Sequence, residues 1–129
     1  MRDICIIGST GSIGTQAIEV VKENAGAFTV LGMSCHSNVA LFAQQCNALK
    51  PKYAGVSDPA QFEQAKRLID VPYLICSENA HEEVLAQCGA DTALISVVGF
   101  AGLRPLIRCI EMGMRACVAN KESIVCGGA

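Results

Sequence analysis

Apolar residues along this chain fall into two alternating rhythms. Short unbroken runs, beginning with Ile4-Cys5-Ile6-Ile7, give way to longer stretches whose apolar positions recur three or four residues apart. An unbroken run suits a parallel strand covered on both faces. The spaced stretches suit helices with one buried stripe. Strands are predicted at 3–7, 28–34, 53–56, 73–76, 93–98 and 115–119. Helices are predicted at 12–24, 39–49, from Ser57-Asp58-Pro59 onward, at 77–87, and from Leu103 to Gly113. The expected stripes are Ile13, Ala17, Val20 and Val21 in the first helix and Val39, Phe42, Ala43 and Cys46 in the second. They are Phe62, Ala65, Leu68 and Ile69 in the third, and Val84, Leu85 and Cys88 in the fourth. Lys50-Pro51 and Gly113 act as stops, and Pro59 sits where a first helical turn accepts it. Strand and helix alternating in this way predict an α/β fold, a doubly wound parallel sheet with right-handed crossovers and helices on both faces.

The first strand runs into Gly8-Ser9-Thr10-Gly11-Ser12-Ile13-Gly14, and a helix follows. Strand, glycine turn and helix together form the arrangement that receives a diphosphate in a Rossmann-like fold. Glycines allow the backbone to turn and a ligand to approach closely. The helix start then offers backbone N–H groups and the positive end of its dipole. The spacing is G-x-x-G-x-x-G rather than G-x-G-x-x-G, with Ser9 standing where the first glycine of the usual pattern would be. Gly11 is expected to meet the diphosphate and Gly14 to pack the helix on the sheet. An ordinary glycine-rich turn is the plainer alternative.

The second strand ends about twenty residues further on, where a dinucleotide fold places the adenosine ribose. An NAD site commonly has Asp or Glu there. This chain reads Ser34-Cys35-His36-Ser37-Asn38, with no carboxylate and no Lys or Arg. A 2′-phosphate is therefore not repelled, which favours NADP. His36 is the possible cation, Ser37 and Asn38 offer hydrogen bonds, and Asn38 also suits a helix cap. His81, in the polar first half of the fourth helix, reads as an exposed histidine.

Composition narrows the classes. The 129 residues suit one domain, and 51% apolar against 17% charged residues argues against disorder. Ten basic and twelve acidic residues give a net charge of −2, with no basic run for nucleic acid. No segment has the roughly 18 apolar residues that span a membrane, and no targeting segment precedes the first strand, so a cytoplasmic protein is expected. The eight cysteines form no C-x-x-C pair and read as reduced thiols, mostly small apolar residues in a core.

The sixth strand leads into Asn120-Lys121-Glu122-Ser123 at the edge where open α/β sheets bind ligands. Alone, that cluster is an ordinary polar turn. Three stretches change its meaning: GSTGSIGTQ at 8–16, VVGFAGLRP at 97–105 and ANKESIV at 119–125. In this order and at this separation they resemble the N-terminal domain of the 1-deoxy-D-xylulose 5-phosphate reductoisomerase family, and the likeness covers essentially the whole chain. The resemblance implies NADPH as cofactor and Mg2+ or Mn2+ as metal. It also implies rearrangement and reduction of 1-deoxy-D-xylulose 5-phosphate to 2-C-methyl-D-erythritol 4-phosphate, in the non-mevalonate route to isoprenoids.

By that resemblance Thr10, Gly11, Ser12 and Ile13, between Gly8 and Gly14, hold the diphosphate. Asn38, beside Ser37, sits at the 2′-phosphate. Asn120 and Glu122 face the cofactor, and Lys121 contacts the substrate. The family commonly has Gly-Lys-Asn where this chain has His36-Ser37-Asn38, so a direct phosphate partner is missing. The family's metal-binding acidic residues lie beyond the NKES stretch, in a catalytic domain. Residues 1–129 are therefore expected to be an NADPH-binding domain with no metal ligand or catalytic residue of its own, inactive alone, within a homodimeric enzyme. A non-catalytic dinucleotide- or CoA-binding sensor, and a dehydrogenase whose substrate domain lies elsewhere, are the competing readings.

Overall fold

The computed structural model describes residues 2–24, 26–95, 115–119 and 124–127. β1 spans Arg2–Ile7, α1 Ser12–Glu23, β2 Phe28–Cys35, α2 Val39–Leu49 and β3 Tyr53–Val56. A 3-10 turn at Pro59–Gln61 runs into α3, Phe62–Leu68. Then come β4, Tyr73–Cys76; α4, Ala80–Cys88; β5, Thr92–Ile95; β6, Arg115–Ala119; and β7, Ile124–Gly127. The strands form one sheet in the order β4-β3-β2-β1-β5-β6-β7. Pairing is parallel from β4 through to β6, as the alternation predicts. β7 pairs antiparallel with β6, an edge strand that the periodicity left unassigned. Only positions 120–123 separate the two strands, far fewer than the dozen or so residues a parallel crossover needs.

The chain builds from β1 outward to β4, then returns to β5 on the other side of β1. Reversal of direction requires helices on opposite faces if every crossover is right-handed. The core is divided accordingly. Ile4 and Ile6 of β1 pack with Ile18 and Val21 of α1, Val39, Phe42, Ala43 and Cys46 of α2, and Ala65 of α3. Cys5 and Ile7, the alternate positions, pack with Val84, Leu85 and Cys88 of α4 and with Ala93 and Ile95 of β5. A strand with no polar alternation is what two covered faces demand. Burying side chains such as Ile6, Ile7 and Phe42 contributes roughly 1.5–3 kcal/mol each.

Three local expectations are corrected. The inward stripe of α1 is Gly14, Ile18 and Val21, whereas Val20 is 51% exposed. Val20 and Val21 stand about 100° apart around the helix, and packing turns Val21 inward and leaves Val20 outside the stripe. In α3, Ala65 and the following Ile69 are buried but Leu68 is 44% exposed. The fourth helix begins at Ala80 rather than Ser77. The Ser77 carbonyl accepts from the Ala80 amide (3.0 Å) and its hydroxyl from the Asn79 amide (3.1 Å), a local turn that competes with helix. The helix predicted from Leu103 to Gly113 lies outside the described residues.

Candidate functional site

The order of strands reverses between β1 and β5, and the crevice beyond the carboxyl end of such a switch is where open α/β sheets take ligands. The glycine turn leaves β1 at that point. Gly8 has φ +82°, the left-handed region that favours glycine. The amides of Gly8 and Ser9 both donate to the Ser34 carbonyl of β2 at 2.9 Å, so the turn is fastened to the neighbouring strand. A Cβ placed on Gly14 would lie 2.3 Å from the Gly8 carbonyl oxygen and 2.8 Å from Ser9 backbone atoms. Gly14 therefore lets the start of α1 sit directly on the turn. Gly11 is the N-cap, with no side-chain capping bond, and the first turn of α1 contains no acidic residue. A helix start capped by neither side chain nor carboxylate is suited to an external anion.

Ser9, the residue that breaks the usual glycine spacing, is fully buried. Its hydroxyl donates to Gln45 Oε1 at 2.7 Å, and Gln45 Nε2 donates back to the Ser9 carbonyl at 2.9 Å. Gln45 projects from α2 and is itself 6% exposed. The extra turn residue is thus held by a reciprocal pair of hydrogen bonds inside the fold. Sequence reading missed Gln45. Its polar type within an otherwise apolar helix face is the signal that could have found it.

The second segment follows β2. His36, Ser37 and Asn38 are exposed, and the loop has no carboxylate. Asn38 is the N-cap of α2, its Oδ1 accepting from the Leu41 amide at 3.4 Å. His36 Nδ1 lies 2.8 Å from Ser57 Oγ, at the carboxyl end of β3. Ser57 Oγ is also 3.3 Å from Nε2 of His81, whose Nδ1 is 2.6 Å from Ser34 Oγ.

The expectation of an exposed His81 is overturned: it is 7% exposed. Burial first, and the charge of His36 second, lower its pKa to about 4. The cause of the burial is the close seat of α4. A Cβ on Gly55 would meet Val84 Cγ2 at 2.7 Å and Ala80 Cβ at 3.1 Å; one on Gly32 would meet Val84 Cγ1 at 2.8 Å. These two glycines bring α4 down onto β2 and β3, and His81 with it. Extending the Val84, Leu85, Cys88 stripe back by one turn lands on position 81, a signal present in the sequence.

Gly8, Thr10, Gly11, Ser12, Ile13 and Gly14 are gathered in the turn and the first turn of α1. Ser37 and Asn38 stand on the same edge, after the adjacent strand. Asn120, Lys121 and Glu122, and the Gly99–Gly102 stretch, lie outside the described residues. β6, which precedes position 120, ends on that carboxyl edge at Ala119. Among the described residues no three His, Cys, Asp or Glu side chains come together to hold a metal ion. Among the described residues, Cys5, Cys35, Cys46, Cys76 and Cys88 form no disulfide. Cys35, beside the ligand edge, is pushed up to about 12, by burial first and Cys46 second, which makes it a poor nucleophile at neutral pH.

Residues 4–128 match the family described as 1-deoxy-D-xylulose 5-phosphate reductoisomerase. The chain belongs to that family. It is 39% identical to the chloroplastic 1-deoxy-D-xylulose 5-phosphate reductoisomerase of Mentha piperita, over 98% of this chain and 28% of that protein. It is 38% identical to the reductoisomerase of Proteus mirabilis, over 99% of this chain and 33% of the relative. The chain therefore spans about a third of the length of these relatives. The Zymomonas mobilis reductoisomerase, solved in complex with NADPH, superposes with a TM-score of 0.84 at 27% identity, over 95% of this chain and 32% of that one. Membership agrees with the three sequence stretches, and the superposition with the doubly wound sheet. No helix among the described residues is long and apolar enough to cross a membrane.

Proposed function

We propose that this chain is the NADPH-binding domain of an enzyme that isomerises and reduces 1-deoxy-D-xylulose 5-phosphate to 2-C-methyl-D-erythritol 4-phosphate. The observation that carries the reading is the α1 N-terminus, capped only by Gly11 and seated on the glycine turn through Gly14 at the switch between β1 and β5. The family membership and the NADPH complex of the Zymomonas mobilis relative support it.

On this reading the backbone from Thr10 to Ile13 holds the diphosphate, and Gly8 and Gly14 shape the turn. Ser37 and Asn38, with His36, meet the adenosine ribose and its 2′-phosphate. Asn120 and Glu122 serve the cofactor from the end of β6, and Lys121 contacts the substrate, whose phosphate or enolate charge suits an ammonium. When bound, NADPH supplies the hydride that reduces the rearranged aldehyde. The divalent metal of the family, Mg2+ or Mn2+, takes its ligands from outside residues 1–129. These residues alone therefore bind cofactor without turnover, and the complete enzyme is a cytoplasmic homodimer.

The direct test is fluorescence titration of the chain with NADPH, NADH and CoA. NADPH is expected to bind, and Gly11→Val to abolish that binding by blocking the approach of the diphosphate. Binding of CoA in preference to NADPH would overturn the reading in favour of a sensor. In the complete enzyme Lys121→Ala is expected to raise KM for substrate while leaving NADPH affinity unchanged. The reverse pattern would reassign Lys121 to the cofactor.

A further inference from the structure

A buried histidine that merely fills a core needs no connection to an exposed loop. His81 has one. Each of its ring nitrogens faces a serine: Ser34 Oγ at 2.6 Å from Nδ1 and Ser57 Oγ at 3.3 Å from Nε2. Ser57 also meets Nδ1 of His36 at 2.8 Å. The other end of the series is Ser34, whose carbonyl accepts from both Gly8 and Ser9 of the glycine turn. Four side chains from β2, the loop after it, the end of β3 and α4 thus join the two parts of the ligand edge.

We propose that His81 is a positioning residue for the dinucleotide cradle. Through Ser57 it orients the His36 imidazole toward the 2′-phosphate, and through Ser34 it ties that imidazole to the strand holding the diphosphate turn. This rests on the cofactor reading above. His36 supplies the cation that the loop otherwise lacks, since positions 34–38 contain no Lys or Arg. With Nδ1 engaged by Ser57, Nε2 is the ring edge left for a phosphate oxygen.

Proton counting gives the series one direction when His36 is charged. An imidazolium donates from both nitrogens. The Ser57 hydroxyl then accepts from His36 and turns its own hydrogen to Nε2 of His81. A neutral His81 that accepts at Nε2 carries its proton on Nδ1 and donates it to Ser34 Oγ. The charge on His36 and the tautomer of His81 are coupled. A phosphate paired with a charged His36 also fixes the hydrogen bond on Ser34.

The test measures NADPH and NADH dissociation constants for the full chain and its variants, and reads their ratio. His36→Ala is expected to lower the preference for NADPH about tenfold, the scale of one charge-assisted hydrogen bond. Ser57→Ala and His81→Phe are expected to lower it about threefold or more, and Ser57→Thr to restore it. The double variant His36→Ala/Ser57→Ala should match His36→Ala alone, because the second change has nothing left to orient. If His81→Phe fails to fold, Ser57→Ala, which removes one hydroxyl, carries the test. An unchanged ratio in folded Ser57→Ala, or an additive loss in the double variant, overturns the proposal while leaving the cofactor reading intact. If the parent chain binds neither dinucleotide, the cofactor reading falls, and the proposal with it.

Discussion

The two halves of the ligand edge are built from different materials. The turn after β1 is made of backbone: a left-handed glycine, amides bonded to a neighbouring carbonyl, and a helix start with no side-chain cap. The loop after β2 is made of side chains: His36 held by Ser57, Ser57 by His81, and Asn38 spent on capping α2. Backbone groups do not titrate near neutral pH, and no single side-chain deletion removes them. Histidines and hydroxyls depend on proton position and on one another. On the proposed reading, the diphosphate side is therefore the part fixed by backbone, and the ribose side the part that depends on individual side chains and is open to substitution.

The largest expected effect breaks the backbone half. Gly14→Val places carbon atoms where the Gly8 carbonyl and Ser9 backbone already are, neither being a flexible side-chain end. Overpacking against main chain is expected to cost about 3 kcal/mol or more, read as a lower urea midpoint. A midpoint equal to the parent's would mean that α1 does not sit on the turn.

The next effect sharpens the contrast through pH. The His81 pKa is lowered to about 4 in the folded chain, against 6.5 when exposed. Between those values the unfolded state binds the proton and the folded state does not. Stability from this group is complete above pH 6.5 and is lost as pH falls toward 4. The loss amounts to about 3 kcal/mol over the window. Urea melts at pH 7 and pH 4.5 measure it. His81→Phe should show a shallower fall, and an identical fall would reject the assignment.

Gln45→Leu comes third. It removes both bonds to Ser9 and leaves a buried hydroxyl and carbonyl without that partner. A loss of roughly 1–3 kcal/mol is expected, with a further weakening of NADPH binding if the turn loosens. A neutral result would show that β2 alone fixes the turn. Asn38→Ala is expected to cost about 0.5–1 kcal/mol, at the low end for a cap because its bond is 3.4 Å. Val20→Lys, on an exposed position, should change stability by no more than about 0.5 kcal/mol.

The sequence by itself determined the alternation of strand and helix, the class of the sheet and the location of the glycine turn. Each is a local property: hydrophobic period, a turn residue, a helix start. It also carried the family, because three short stretches in fixed order are readable without coordinates. Tertiary structure decided what depends on residues far apart in the chain. It selected Ile18 and Val21 over Val20, added β7 as an antiparallel edge, and set Gln45 against Ser9 across 36 positions. Above all, it carried His81 from an apparently solvated helix face into a buried series with Ser34 and Ser57. That outcome rests on Gly32 and Gly55, two missing side chains on neighbouring strands that let α4 settle close to the sheet. Periodicity reports which side of a helix turns inward, but the depth to which it sinks is set by the surface beneath it.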